Sequence, residues 1–284
     1  MRRAPHPSPN VQAAREEVAV RLVEMRRDAG LTGRALAQIL GWQPSKVSRF
    51  QSGTTPPSED DIRAWCRACG TEDRAADLIA AARDADSLYV EWRRAQRAGL
   101  RRLQNSYVPL FERTTSFRVY TSTVIPGQLQ TREYARALLS QVSDVHGTVN
   151  DVDEAADARL ERSEILRAPG RRFAFLVEES VLRDVMGDAE TMAGQLGYLM
   201  TAMAWPAVSI GVIPVGIPRA MWKLETFSIY DEARVSVELL SAAITVTTPS
   251  EIKMYVDAFA RQQERALHGA PARALIADAI NSLG

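Results

Sequence analysis

Leu31-Thr-Gly-Arg-Ala-Leu-Ala-Gln-Ile-Leu-Gly-Trp-Gln-Pro-Ser-Lys-Val-Ser-Arg-Phe-Gln-Ser-Gly53 decides how this 284-residue chain is read. Thr32 can cap a helix over Gly33–Leu40, with Ala35, Leu36, Ile39 and Leu40 turned inward. Gly41 ends it. Pro44, a favoured first helical residue, opens a second short helix to Gln51 with Val47 and Phe50 as its buried pair. Ala37 is small where the two helices must approach closely. Upstream, Val18, Leu22 and Met25 mark an amphipathic helix over Val11–Ala29, closed by Gly30 as a left-handed cap. Downstream, Ser58-x-x-Asp61 resembles a capping box opening a helix over Glu59–Cys69. Gly70 stops that helix, and Thr71 is expected to cap a fifth, Glu72–Arg83. The expectation is an all-α five-helix domain over residues 11–84.

Two short helices joined by a tight turn, the second polar at its start, suit insertion into the major groove of double-stranded DNA. Gln43, Ser45, Lys46 and Arg49 are the candidate base readers, because Arg and Lys match guanine O6 and N7 and Gln matches adenine. Ser48 can touch base or phosphate. Thr32, Gly33, Arg34 and Pro44 stand at helix starts, where free N–H groups bind phosphate, and Ser52, Gly53 and Thr54 offer hydroxyls and close backbone approach. The bland alternative is a helical bundle whose polar residues are merely solvated. Charge distribution weighs against it. The chain is neutral overall, yet Met1–Pro57 holds Arg2, Arg3, Arg15, Arg21, Arg26, Arg27, Arg34, Lys46 and Arg49 against Glu16, Glu17, Glu24 and Asp28. A basic module precedes an acidic body.

A helix over Asp86–Gln104 is expected to connect the domains, within a linker spanning 85–110. From Phe111 the pattern changes. Phe117–Ile125, Phe173–Val177 and Val208–Ile213 read as strands. Phe227–Tyr230 and Val235–Leu239 flank a turn at Asp231-Glu232-Ala233-Arg234, and Ala243–Val246 adds a further strand. Helices are expected over Thr131–Gln141, Val152–Leu166, Glu179–Met186, Ala189–Ala204, Pro249–Leu267 and Pro271–Leu283. Two buried strands separated by helix suggest a βαβ unit, so residues 111–284 are expected to form an α+β domain with a mixed sheet. Residues 1–10, basic and Pro-rich, are expected to be a disordered tail rather than a signal peptide.

Several classes are disfavoured. Cys66 and Cys69 form one CxxC without a second pair, and His6, His146 and His268 are scattered, so no metal site is expected. Trp205–Pro218 is too short to span a membrane, and a cytoplasmic location is expected. No phosphate loop, dinucleotide fingerprint or catalytic constellation is present, so neither an enzyme nor a cofactor is expected. Glu178 and Glu179 adjoin at a strand end, but adjacent strand residues point to opposite faces; they read as a helix-start carboxylate and a surface charge. Pro126, Gly127, Gln128, Gln130 and Thr131 either line a pocket or form a turn before a helix capped by Thr131. Trp205, Trp222, Tyr198 and Tyr230 suit a pocket, an interface or a core.

The Leu31–Gly53 stretch resembles helix-turn-helix domains of the xenobiotic-response-element and phage-repressor class. It departs from that pattern at Gly33, where Gln is usual, and at Gln51, where Glu is frequent. Val124–Leu139, with Pro126-Gly-Gln-Leu-Gln-Thr131 and Tyr134-Ala135, resembles the "PGLLQT" signature of a C-terminal domain in actinobacterial, antitoxin-like (WhiJ-type) regulators. Ala158–Arg162, Leu176–Glu179 and Val212–Pro214 extend the likeness, with departures at Gln128 and Ser163. The resemblance implies a transcriptional regulator acting as a homodimer, whose second domain senses a small-molecule effector or docks a small neighbour-encoded protein. Its alternative is an interaction protein that sequesters such a partner and binds DNA for autoregulation.

Overall fold

Helix α1 (Pro9–Asp28) is followed by α2 (Gly33–Leu40), α3 (Pro44–Gln51), α4 (Glu59–Cys69) and α5 (Ala75–Asp84) in the computed structural model. The structure describes residues 9–84, 89–91, 99–147, 151–219, 221–240 and 242–283. Two units emerge: Met1–Tyr89 with Val246–Glu251, and Val90–Thr245 with Ile252–Gly284. Most of the expected tail lies outside the described residues, but Pro9 and Asn10 already belong to α1.

The first unit is built by local signals. Thr32 Oγ1 accepts the Ala35 N–H, and the Ser58–Asp61 capping box is complete. Gly41 and Gly70 close α2 and α4 in left-handed conformations. The core joins Val18, Leu22 and Met25 to Leu36, Ala37, Val47, Phe50, Ile62 and Trp65. Trp65 donates its indole N–H to the Leu22 carbonyl at 3.1 Å, so the largest buried side chain leaves no polar atom unpaired. Two expectations are corrected. Ile39 is 58% exposed, because Leu36 and Ala37 supply the inner face of so short a helix. Thr71 does not cap the fifth helix: its hydroxyl donates back to the Cys66 carbonyl, and a 3₁₀ turn (Glu72–Arg74) precedes α5.

After α5 the chain forms β1 (Tyr89–Glu91), α6 (Leu100–Ser106), α7 (Val108–Arg113), β2 (Ser116–Thr121), α8 (Arg132–His146), α9 (Val152–Ser163), β3 (Arg172–Glu178), α10 (Glu179–Arg183), α11 (Ala189–Ala202) and β4 (Val208–Ile213). It continues with β5 (Phe227–Tyr230), β6 (Arg234–Glu238), β7 (Ala242–Val246), α12 (Pro249–Gln263) and α13 (Gly269–Asn281). The sheet order is β1-β7-β6-β5-β2-β3-β4. β2, β3 and β4 are parallel, whereas β5 runs antiparallel to β2 and β6. The expected α+β fold with a mixed sheet is present. Phe117 stands beside Phe173 in register, their rings stacked 4.6 Å apart, at the centre of a core shared with α11 and α13. On the opposite face Tyr120 stacks on Phe227, which meets Tyr255 of α12. Gly211 is required in β4 because a Cβ there would stand 2.6 Å from the His268 ring.

The helix expected over Asp86–Gln104 is corrected in its first part. Tyr89–Glu91 is an edge strand, and the helix begins only at Leu100. Gly99 turns the chain with φ of 95°, and the Asp151 carboxylate caps the helix start by accepting the Leu100 and Arg101 N–H groups at 2.9 and 3.0 Å. Residues 85–88 and 92–98 lie outside the described residues. The expected strand Phe117–Ile125 stops at Thr121, whose hydroxyl donates to the Val124 carbonyl and turns the chain toward Pro126.

Asp231 fixes the hairpin to the start of β2. It sits at φ 50° and accepts the N–H groups of Thr115 and Ser116 and the Thr115 hydroxyl. Asp231→Ala removes those acceptors and puts a Cβ residue without local hydrogen bonding in the left-handed region. It should destabilise by about 1–3 kcal/mol in urea unfolding, with Asp231→Asn losing distinctly less.

Candidate functional site

The turn between α2 and α3 is made by Gly41 (φ 65°, ψ 26°), and the Trp42 N–H returns to the Ala37 carbonyl at 2.8 Å. Gln43 is extended and Pro44 is the first helical residue, so α3 starts abruptly. Val47 and Phe50 are buried, and Gln43, Pro44, Ser45, Ser48 and Arg49 are exposed. Thr32 and Arg34 are exposed at the start of α2, Gly33 beside them half-buried. In the loop after α3, Ser52 and Thr54 share a hydrogen bond of 2.7 Å, and buried Gly53 has φ 66°.

Lys46 behaves differently from its neighbours. Its ammonium pairs with Asp61 at 2.6 Å and lies 4.1 Å from the centre of the Trp42 ring. The same carboxylate accepts the Ser58 N–H in the capping box. Burial pushes the Asp61 carboxyl up, but the hydrogen bonds from Lys46 and Ser58 outweigh it and hold the group below 3.8. Lys46 therefore joins α3 to α4, while Gln43, Ser45 and Arg49 remain exposed. The two departures noted above also meet: a Cβ on Gly33 would stand 3.7 Å from Gln51 Oε1, in ordinary contact.

In the second unit, the Pro126–Thr131 segment is both a turn and part of a pocket wall. Gly127–Leu129 is a 3₁₀ turn, Thr131 Oγ1 accepts the Tyr134 N–H, and Gln195 brackets the segment through Thr131 N–H and the Leu129 carbonyl. Pro126, Gly127, Gln128 and Gln130 line a cavity of about 330 Å³; Thr131 does not. Arg159 and Arg162 of α9 line it too. Arg159 donates to Gln104 Oε1 at 3.1 Å and Gln130 Oε1 at 2.6 Å, while Arg162 donates to the Gln104 carbonyl at 3.0 Å and lies over Tyr107 and Phe111. Desolvation, then the Arg162 charge, bring the Arg159 guanidinium down to about 10, still protonated at neutral pH.

Glu178 and Glu179 are both buried, which corrects the reading of one as a surface charge. Glu178 accepts from Tyr120 OH at 2.7 Å and pairs with Arg219. Glu179 pairs with Arg183 at 2.6 Å and accepts the Val215 N–H at 2.9 Å. Each has its own cation, as structural carboxylates do. Tyr198 and Trp205 meet edge to face, Tyr230 is buried beside the cavity, and Trp222 is 71% exposed. Cys66 is buried and Cys69 half-buried on α4. Among the described residues no group of three His, Cys, Asp or Glu side chains is placed to hold a metal, and no helix is long and apolar enough to cross a membrane.

Comparison with known families follows this division. Residues 17–79 match the model of a helix-turn-helix domain, and residues 104–278 match that described as Domain of unknown function (DUF5753). The chain belongs to the DUF5753 family. No curated protein and no solved structure matches it. The helix-turn-helix domain supports a DNA-binding regulator, with DNA as a partner.

The sequence left Pro126, Gly127, Gln128 and Gln130 open between a turn and a pocket wall, and did not single out Gln104, Arg159 and Arg162 as lining the DUF5753 cavity. The available signal was the i, i+3 spacing of two arginines on a helix whose Ala155, Ala156 and Ala158 are buried.

The lowered Asp61 pKa sets a sign. The paired carboxylate contributes stability above pH 3.8, and that contribution is lost as pH falls through the lower folded value. A double-mutant cycle of Lys46→Met and Asp61→Asn should show about 0.5–1 kcal/mol of coupling at pH 7, fading below that window in thermal unfolding.

Proposed function

We propose that this DUF5753 protein is a sequence-specific, double-stranded-DNA-binding transcriptional regulator of the xenobiotic-response-element type. The observation that carries the reading is the first turn of α3, which exposes Gln43, Ser45 and Arg49 while Val47 and Phe50 anchor it. One short recognition helix reads few base pairs, so a homodimer on a palindromic or repeated site follows. Thr32, Gly33 and Arg34 at the start of α2, with Ser52 and Thr54, hold phosphate. The second unit carries no reaction; it senses a small effector in its cavity, and the protein works in the cytoplasm.

A second reading, docking of a small neighbour-encoded protein in the manner of antitoxin-like regulators, is favoured by one observation. Val215, Ile217 and Trp222, between β4 and β5, are exposed apolar side chains. Co-purification of a stoichiometric small protein supports it; purification of the chain alone supports the sensor.

Selection of bound sites from random duplexes tests DNA reading directly. On the selected site Arg49→Ala should cost about 1–3 kcal/mol, with little change on random DNA. An equal loss on both assigns Arg49 to phosphate instead.

A further inference from the structure

The cavity in the second unit is lined by two guanidiniums that lack an ion-pair partner among the described residues. Arg159 and Arg162 both line it, and no carboxylate among the described residues forms an ion pair with either. Their protein partners are neutral acceptors: the side-chain oxygens of Gln104 and Gln130 and the Gln104 carbonyl. Arg162 Nε is buried without a partner, and so is Nε of Arg234, which lines the cavity from β6. Buried Gln128 also lines the cavity. Glu238 is the one carboxylate in the wall; it is solvent-exposed and its charge favours both guanidiniums, but it forms no ion pair with either.

Taking a guanidinium out of water without a counter-charge is costly, and folded proteins pair buried charges. Here Arg159 and Arg162 are held by neutral groups on one side and open to the cavity on the other. Guanidinium forks match carboxylate and phosphate oxygens. One part of the wall is apolar, with Val119, Leu138, Leu139 and Val142, while Thr121, His146, Thr226, Ser228 and Ser236 line it elsewhere. A volume of about 330 Å³ suits a small organic molecule.

We infer that the cavity binds a small organic anion, its oxyanion head on Arg159 and Arg162 and its hydrocarbon body against Leu138, Leu139 and Val142. This rests on reading the second unit as an effector-binding domain and names the chemistry of the effector. The anion supplies the missing ion-pair partner, and Gln128 and Arg234 offer further donors to its head.

The test is calorimetric titration of the full chain, without DNA, using octanoate, octyl phosphate and 1-octanol. Octanoate or octyl phosphate should bind at least about tenfold more tightly than 1-octanol, and the stronger of the two identifies the head group. Arg162→Gln should remove most of that preference. Val142→Trp, which fills the apolar end and leaves the arginines in place, should abolish binding and serves where Arg162→Gln does not fold. The inference is overturned if 1-octanol binds as well as the anions, if none of the three binds, or if anion binding survives Val142→Trp. Because DNA is absent, failure here leaves the DNA-binding reading intact, and failure to bind DNA leaves this one intact.

Discussion

The joint between α2 and α3, built on buried Ala37 and the turn its carbonyl holds, is the constraint on which the first unit depends. The Ala37 side chain is 1% exposed, and its carbonyl accepts from Gly41 and Trp42 in the turn. A larger side chain there overpacks the joint at a cost of about 1–3 kcal/mol and swings α3 on its turn. Gly41 completes the constraint, since its left-handed conformation lets the chain reverse within three residues. From that joint follow the burial of Val47 and Phe50 and the outward set of Gln43, Ser45, Ser48 and Arg49. The Lys46–Asp61 pair then locks α3 to the N-terminus of α4, where the negative charge is also favoured by the helix dipole.

The second unit is organised by where its charges are neutralised. Glu178 and Glu179, at the C-terminal end of β3, are buried with dedicated arginines and hold the sheet edge to the β4–β5 connection. Arg159 and Arg162 have only neutral partners and a cavity. That cavity adjoins β2, the strand where parallel pairing with β3 gives way to antiparallel pairing with β5. The 3₁₀ turn that follows β2 supplies part of its wall through Gly127 and Gln128.

What was legible in the sequence was what short-range chemistry decides. Thr32, Gly41, Pro44, Ser58 and Gly70 act within a few residues, so the helices they bound were readable to within a residue or two. The strands Arg172–Glu178 and Val208–Ile213 were readable because both faces are buried. Ile39 was misassigned because a helix of eight residues has too little periodicity to fix its inner face. The linker helix was misplaced because its start is set by Asp151, some fifty residues away. Lys46 read as an outward base contact because Asp61 lies in another helix. Arg159 and Arg162 drew no reading beyond their place in the family likeness, because only tertiary packing of α9 against α6 brings them to the cavity.

The central claim is that α3 enters DNA. Hydrogen exchange of the full chain, with and without a duplex selected from random sequence, tests it most directly. Slowed exchange is expected in peptides covering the start of α2 and the span from Gln43 to Thr54. Protection confined to the second unit, or equal protection by a random duplex at the same concentration, would contradict it.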